Sequence, residues 1–511
     1  MFIFCPDIRW RTADVSFITN FPLFTIVFSL FSGVLCMMLS GRRARQYTIC
    51  YELLLISMVS AVLWYTKTTG SAFTYVMGEF PAPWGNEIRA GVLEALIALT
   101  FLIIMFCSVI AGGRYLKVDI DESKYNLYYT LINLMTAALL AMTWTNDIFT
   151  GYVFVEILTL TSCGVLIVRE IGRTTLAAVR YMIMNLLGSG LFLLGIVLLY
   201  DVTGNLLMVP MRESIAGLIE DPQTRLVIAM AVGILTIGLA IKSGLFPFHF
   251  WMPDTYGWAT PTSASVLSSL VSKCYIFLLI KIYYRVIGIE VFEQLPLKNI
   301  LLVLGMCGIV FGSVSAIRAD NINRMVAFSS AAQIGYIYMG IGLGGEIGYM
   351  AALFHIMAHA VTKSALFLTT PGLAEVSENS LLFKKLQGSG IRNKPAGFFF
   401  LAGAFSMIGI PVFAGFCSKL LFAMSAVYSG SNKKLIIVML VLALSSTLNA
   451  IYFIRTSIRI FSRPKTASEK KIGIRMDYLI PMLILTAANI ALGLFSWYFA
   501  DLIQTGLRMF A

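Results

Sequence analysis

Five lysines stand inside apolar runs of this chain: Lys242, Lys273, Lys281, Lys363 and Lys419. A charged side chain near the centre of a bilayer costs roughly 3 kcal/mol or more. Each lysine therefore needs a counter-charge, an interior cavity, a route to the surface or a way to become neutral. Lys281 lies near the end of its run and is expected to extend its ammonium to the headgroup region. Lys273 lacks that route, because residues 263–280 are otherwise apolar or small. A desolvated lysine takes up and releases a proton more readily than one in water. Glu156 is the acid available to pair with these lysines, since no other charge lies between Asp147 and Arg169. Such a pair in the membrane either fastens two helices or forms a switchable proton site.

All three histidines fall in the same kind of setting. His249 lies in Phe-Pro-Phe-His-Phe-Trp-Met-Pro-Asp, residues 246–254. His355, His359 and Lys363 follow one another at intervals of four, which places them on one face of one helix. Two histidines at that spacing can ligate a metal, but no acidic or cysteine ligand accompanies them, so no metal is expected. Titratable groups one turn apart, bridged by water, form a proton wire instead. The eight cysteines (5, 36, 50, 107, 163, 274, 307 and 417) contain no Cys-x-x-Cys pair. They read as small core residues, and no iron–sulfur cluster, haem, zinc or other cofactor is expected in this chain.

Prolines interrupt two of the runs. Pro247 comes shortly after Lys242, and Pro411 shortly before Lys419. A kink is the simpler reading of each. Interruptions at matching places in two halves point instead to broken helices, whose freed carbonyls and half-helix dipoles stabilise an ion or water.

The elements that must position these groups are set by composition. Of 511 residues, 58% are hydrophobic and 13% charged, against about 25% charged in a soluble chain. The solvent is lipid, and the fold class is an all-α polytopic membrane protein. Disorder, a secreted disulfide module, a soluble enzyme and an outer-membrane barrel are excluded. The net charge of +12 sits in short loops and does not form a nucleic-acid-binding face. The run from about 21 to 39 has no small-residue cleavage pattern and reads as a retained helix.

Apolar runs of about 18–25 residues give fourteen spans, centred near 30, 56, 100, 135, 158, 190, 237, 273, 308, 334, 358, 408, 445 and 489. Loops after odd-numbered spans hold 22 Lys and Arg, and the remaining loops and termini hold 11. The positive-inside rule then puts both termini outside. The richest cytoplasmic loop carries Arg455, Arg459, Arg463, Lys465, Lys470, Lys471 and Arg475. Topology with lipid headgroups, or docking of a cytoplasmic subunit, would each use it.

These segments resemble the antiporter-like membrane subunits shared by respiratory complex I (NADH-quinone oxidoreductase), Mrp-type cation/proton antiporters and membrane-bound hydrogenases. The resemblance rests on the Glu156 span, residues 242–254 with Pro261 and Thr262, and Lys273. It continues in Asn-Arg-Met-Val-Ala-Phe-Ser-Ser at 323–330 with Gln333 to Tyr336, residues 355–363, and residues 411–419. It covers roughly 125 to 425. It implies about fourteen transmembrane helices, with two inverted five-helix repeats and two broken helices around a hydrated axis. The corresponding divisions are 1–124 for helices 1–3, 125–287 for the first repeat, 288–460 for the second, and 461–511 for a cytoplasmic loop and helix 14.

The resemblance also assigns roles. Glu156 pairs with Lys242, Lys273 is the central relay lysine, His355 and His359 lie on the path, and Lys419 is the terminal lysine, where some members carry glutamate. His249 and Lys363 are further candidates. The family often has a second histidine after the Pro-Asp turn, whereas this chain has Asp254-Thr255-Tyr256. That turn and its aromatic surroundings sit nearer the Mrp and hydrogenase members, and the long lateral helix of one complex I member is missing.

The expected activity is proton movement, with or without exchange for Na+, by a subunit that is not catalytic alone. The expected location is a prokaryotic plasma membrane, among other membrane subunits of an Mrp-type, hydrogenase or complex I assembly, with no nucleic-acid partner. A complex I proton pump is the nearest alternative. A solitary transporter of an organic solute, a lipid-headgroup transferase and an inert scaffold are more distant ones.

Overall fold

The computed structural model describes residues 17–80, 85–463 and 475–510. Lys465, Lys470 and Lys471 of the basic loop, and Cys5, lie outside the described residues. Among those described, 13 helices are long and apolar enough to cross a membrane. Two shorter apolar helices, Lys394–Ile408 and Ala414–Val427, follow one another between the last long ones. Together they occupy the span expected near 408. The chain is a predominantly helical, multi-pass membrane protein.

Burial runs from the inside outwards. In Pro261–Ile287 and Gly345–Glu375 the most apolar stretch is wholly enclosed by protein. These two helices carry Lys273, His355, His359 and Lys363. Peripheral helices keep an apolar outer face: on Gly172–Thr203, Leu176, Val179, Ile183, Leu186, Leu187, Leu194 and Val197 are all exposed. A face of that kind is stable against hydrocarbon or the apolar face of another membrane protein.

The two broken helices end in the same way. Pro222–Ser243 stops at Gly244, whose φ of 81° is open to glycine at little cost. The Gly244 amide bonds to Ala240 O and Ile241 O at 3.0 and 3.2 Å, and Leu245 N reaches Ala240 O at 2.9 Å. Lys394–Ile408 stops at Gly409, φ 93°. Its amide bonds to Phe405 O and Ser406 O, both at 3.1 Å, and Ile410 N reaches Phe405 O at 3.0 Å. This closure satisfies carbonyls in the last turn, leaves the final ones open and turns the chain away. Pro247 and Pro411 then prevent the helix from resuming at once. The chain returns to helix at Met252–Trp258 and at Ala414–Val427.

A second correspondence lies at the starts of two other helices. Asp147 caps Ile148–Ile167 by accepting from Thr150 N at 2.6 Å, and Asn321 caps Ile322–Leu343 by accepting from Asn323 N at 2.8 Å. Ile148 N bonds Leu206 O at 3.0 Å and Met208 N bonds Asn146 O at 2.9 Å. Likewise Ile322 N bonds Leu381 O and Phe383 N bonds Asp320 O, both at 3.0 Å.

Three features go beyond the sequence reading. Pro261–Ile287 contains two π-helical turns, Leu267–Val271 and Tyr283–Ile287, on either side of the α-helical Ser272–Ile282. A two-stranded hairpin pairs Phe73–Val76 with Glu87–Ala90. A strongly amphipathic helix, Ser496–Phe510, follows the last long span.

Lys281 overturns one expectation. It is fully buried and does not extend to the headgroup region. Its Nζ donates to Thr143 O at 2.8 Å and lies 3.9 Å from Glu94 Oε1, which Arg89 Nη1 also holds at 2.7 Å. Arg89 donates to Met509 O, and Arg285 donates to Asn146 Oδ1 at 3.0 Å and to Phe510 O at 3.4 Å. The carboxyl-terminal helix therefore covers this end of the central helix, and Glu94 supplies the counter-charge.

Candidate functional site

The sequence places Glu156 midway along Ile148–Ile167 and Lys242 in the last turn of Pro222–Ser243, and the fold brings them together. Lys242 Nζ lies 3.4 Å from Glu156 Oε1 and donates to Thr159 Oγ1 at 2.8 Å. Ser189 donates a hydrogen bond to the same carboxylate oxygen. The lysine side chain is fully buried, whereas the Glu156 side chain is 25% exposed, so the acid forms the outer member of the pair. The carbonyl end of the half-helix adds a favourable field for the ammonium.

Thr159 Oγ1 is 3.2 Å from Tyr275 OH, and the Lys242 ammonium stands 5.5 Å from the centroid of the Tyr275 ring. Two residues before Tyr275 on the same helix is Lys273, fully buried, whose Nζ donates to Ser268 O. Ser268 lies in the π-helical turn, and such turns loosen the regular backbone ladder at functional positions. Ser272 Oγ, beside Lys273, is 2.9 Å from Tyr256 OH.

The helix of Lys273, Pro261–Ile287, packs against Gly345–Glu375, which carries His355, His359 and Lys363. The two imidazoles lie parallel, 5.7 Å apart with an interplanar angle of 1°, an arrangement that one-turn spacing allows. His355 Nδ1 meets Ser418 Oγ at 2.5 Å. His355 Nε2 and both ring nitrogens of His359 are buried without a protein partner, as are Gln333 Nε2, Ser269 Oγ and Tyr336 OH. Buried polar groups of this kind are ordinarily satisfied by bridging water.

Lys363 shares the helix face but turns towards Ile322–Leu343, donating to Val326 O at 2.9 Å and to Ser329 Oγ. Both acceptors belong to the Asn-Arg-Met-Val-Ala-Phe-Ser-Ser segment. Lys419 lies on Ala414–Val427, after the second break. Its Nζ donates to Met407 O at 3.3 Å, Ile408 O at 2.6 Å and Ser446 Oγ at 3.0 Å, and so covers the carbonyls exposed at the second break.

His249 stands apart. It is half-buried in the turn Phe248–Trp251, with its ring 5.6 Å from that of Phe246, and its Nδ1 has no partner. The neighbouring Asp254 instead joins two other helices, pairing with Arg180 at 2.7 Å and with Arg324 at 3.4 Å. Thr159, Ser189, Tyr275 and Ser418 were missed by sequence reasoning. Ser418 and Thr159 could have been found, one beside Lys419 and the other one turn beyond Glu156 on the same face. Among the described residues no three His, Cys, Asp or Glu side chains converge on a metal-sized site.

The chain is a polytopic helical bundle with two broken helices and buried Glu, Lys and His side chains. Residues 145–446 match the family described as NADH:quinone oxidoreductase/Mrp antiporter, transmembrane region. That is more than half of the chain, and the chain belongs to this family. NADH-quinone oxidoreductase subunit N of Desulforudis audaxviator (strain MP104C) is 30% identical over 509 residues, 93% of this chain and 96% of that protein. A Na(+)/H(+) antiporter subunit of Bacillus subtilis (strain 168) is 25% identical over 403 residues, 78% of this chain and 79% of that protein.

Two solved structures share the fold. One is a chain of the Mrp complex from Dietzia sp. DQ12-45-1b, with TM-score 0.85 and 22% identity over 96% of this chain and 97% of that one. The other is a chain of the membrane-bound sulfane sulfur reductase, an archaeal respiratory membrane complex, with TM-score 0.85 and 23% identity over 96% of each.

Proposed function

We propose that this chain is a proton-conducting, antiporter-like subunit of a multisubunit membrane complex. The observation that carries the reading is the set of buried titratable groups in one bundle: Lys242 beside Glu156, then Lys273, the stacked His355 and His359 with Ser418, and Lys419. With Glu156 beside it, Lys242 keeps its proton. When the pair opens, a buried ammonium without a counter-charge is unfavourable, and the proton passes through water to Lys273. From there it travels by the stacked imidazoles to Lys419. Lys363, held by Val326 O and Ser329, sets the positive charge facing His359. His249 serves the outer end of the first broken helix.

The paired closures at Gly244 and Gly409, and the paired helix starts at Asp147 and Asn321, support two repeats spanning 125–287 and 288–460. Equivalent helices lie five crossings apart. An odd number of crossings inverts one repeat relative to the other, so the two breaks open towards opposite faces.

An Mrp-type assembly, moving H+ in exchange for Na+, fits this reading, with both termini outside a prokaryotic plasma membrane. The near-full-length similarity to a quinone oxidoreductase subunit N favours a second reading, the proton-pumping arm of a redox complex. In the first case the proton gradient drives exchange; in the second the driving reaction, with its cofactors, belongs to partner subunits. Mass spectrometry of the complex from native membranes separates the two: small membrane subunits alone indicate the first, iron–sulfur or quinone-site subunits the second.

The relay itself is tested by Lys242→Arg, which keeps the charge but cannot give up its proton. Proton transport in membrane vesicles should fall by about tenfold or more, with the complex still assembled. Full transport by this variant would rule the relay out.

A further inference from the structure

Outside the relay, the helices before Tyr125 carry a fully buried acid with no counter-charge. Glu52 lies inside Gly41–Thr69 and is 0% exposed. Among the described residues no Lys, Arg or His nitrogen lies within 4.0 Å of it, in contrast to Glu94 and Glu156. Its Oε1 accepts from Thr136 Oγ1 at 3.0 Å, and its Oε2 has no partner. Thr48, one turn earlier on the same helix face, is 3.3 Å from Asn133 Nδ2, which also donates to Ser32 Oγ at 2.8 Å and Cys36 Sγ at 3.1 Å. Asn133 Oδ1, also fully buried, has no partner. Asn133 and Thr136 sit on one face of Tyr125–Trp144, as Thr48 and Glu52 do on theirs.

The unpartnered oxygens therefore belong to two side-chain pairs that meet across one helix interface. The titratable side chains nearby are Tyr51, whose hydroxyl meets Ser29, and Cys36, which meets Thr48 at 3.6 Å. A polar stripe leads to this place. Thr25, Ser29, Ser32 and Cys36 recur at one-turn spacing on Phe21–Met38, all fully buried at this interface.

A carboxylate alone at this depth is too costly to persist. It is stable when it carries a proton, or when a cation replaces that proton. Carboxylate, amide and hydroxyl oxygens are ligands for a hard cation, and a single carboxylate balances a single positive charge. Exchange of the proton for a monovalent cation converts the carboxylic acid to the carboxylate–cation pair and releases H+, so the net charge of the site is unchanged. We infer that Glu52, with Asn133, Thr136 and Thr48, forms an exchangeable site for H+ or Na+, reached along the stripe from Thr25 to Cys36.

N,N′-dicyclohexylcarbodiimide, which adds to protonated carboxyls in apolar surroundings, tests the site in the intact complex in native membranes. Peptide mass spectrometry should find an adduct at Glu52, reduced by about tenfold in NaCl relative to choline chloride when sodium exceeds its dissociation constant by that factor. The Glu94 peptide should show no sodium effect. Equal labelling of Glu52 in both salts would overturn the site and leave a permanently protonated structural acid. If the reagent labels Glu52 in neither salt, thermal unfolding decides. Sodium-specific stabilisation of the wild type that is lost in Glu52→Gln supports the site, and identical responses overturn it. Both readouts report binding, so they stand or fall independently of transport through Lys242.

Discussion

The ammonium of Lys419 lies 2.6 Å from the carbonyl oxygen of Ile408, the last residue of the half-helix that stops at Gly409. A cation thus sits at the negative end of that half-helix. The first break achieves the same result differently, because Lys242 belongs to the last turn of its own half-helix. Lys419 instead reaches back from the helix after the break.

This double duty predicts a split between two substitutions. Lys419→Met leaves the Met407 and Ile408 carbonyls without their donor and should destabilise the protein by about 1–3 kcal/mol. Lys419→Arg keeps a donor at the break and should unfold near the wild-type temperature, yet lose proton transport because it retains its proton. Thermal unfolding alongside vesicle proton uptake reads both. Equal destabilisation by the two variants would contradict the capping role.

The contact between His355 and Ser418 predicts non-additivity. It joins the helix of the stacked imidazoles to the helix of Lys419. His355→Gln and Ser418→Ala should each slow transport, and the double variant should be no slower than the worse single one, as for residues acting in one network. Losses that simply multiply would mean that the two side chains act separately.

The Glu94 cluster predicts an asymmetry in stability. Glu94→Leu leaves Arg89 and Lys281 buried without their shared acid and should cost about 3–5 kcal/mol. Lys281→Met leaves Glu94 still paired with Arg89 at 2.7 Å and should cost clearly less. Unfolding of the two variants in detergent measures the difference. The reverse order would show that Arg89 and Lys281 do not depend on this carboxylate.

Charges in apolar runs were the part of the site that the sequence revealed most directly. Glu156, Lys242, Lys273, His355, His359 and Lys419 each interrupt an otherwise lipid-compatible stretch, and the cost of that interruption marks them whatever the tertiary fold. Position along a helix was a poorer guide to depth. Lys281 lies at the end of its run, but Ser496–Phe510 and the Arg89 hairpin close over it, and nothing local to residue 281 encodes that cover.

Partners contributed by other helices were hidden for the same reason. Ser189, Ser418 and Thr159 are ordinary hydroxyl residues until packing aims them at Glu156, His355 and Lys242. The π-helical turns have no hydrophobic period of their own. The breaks were read from Pro247 and Pro411, whereas the helices end at Gly244 and Gly409, where the positive φ is needed.

The account turns on Lys273 passing a proton between the two halves of the file. The most direct measurement is proton uptake by inverted membrane vesicles that carry Lys273→Arg in the fully assembled complex. Arginine preserves the buried positive charge but holds its proton. Uptake should be abolished while assembly and thermal stability stay close to wild type. Uptake at the wild-type rate would contradict it, because the proton would then cross without using Lys273.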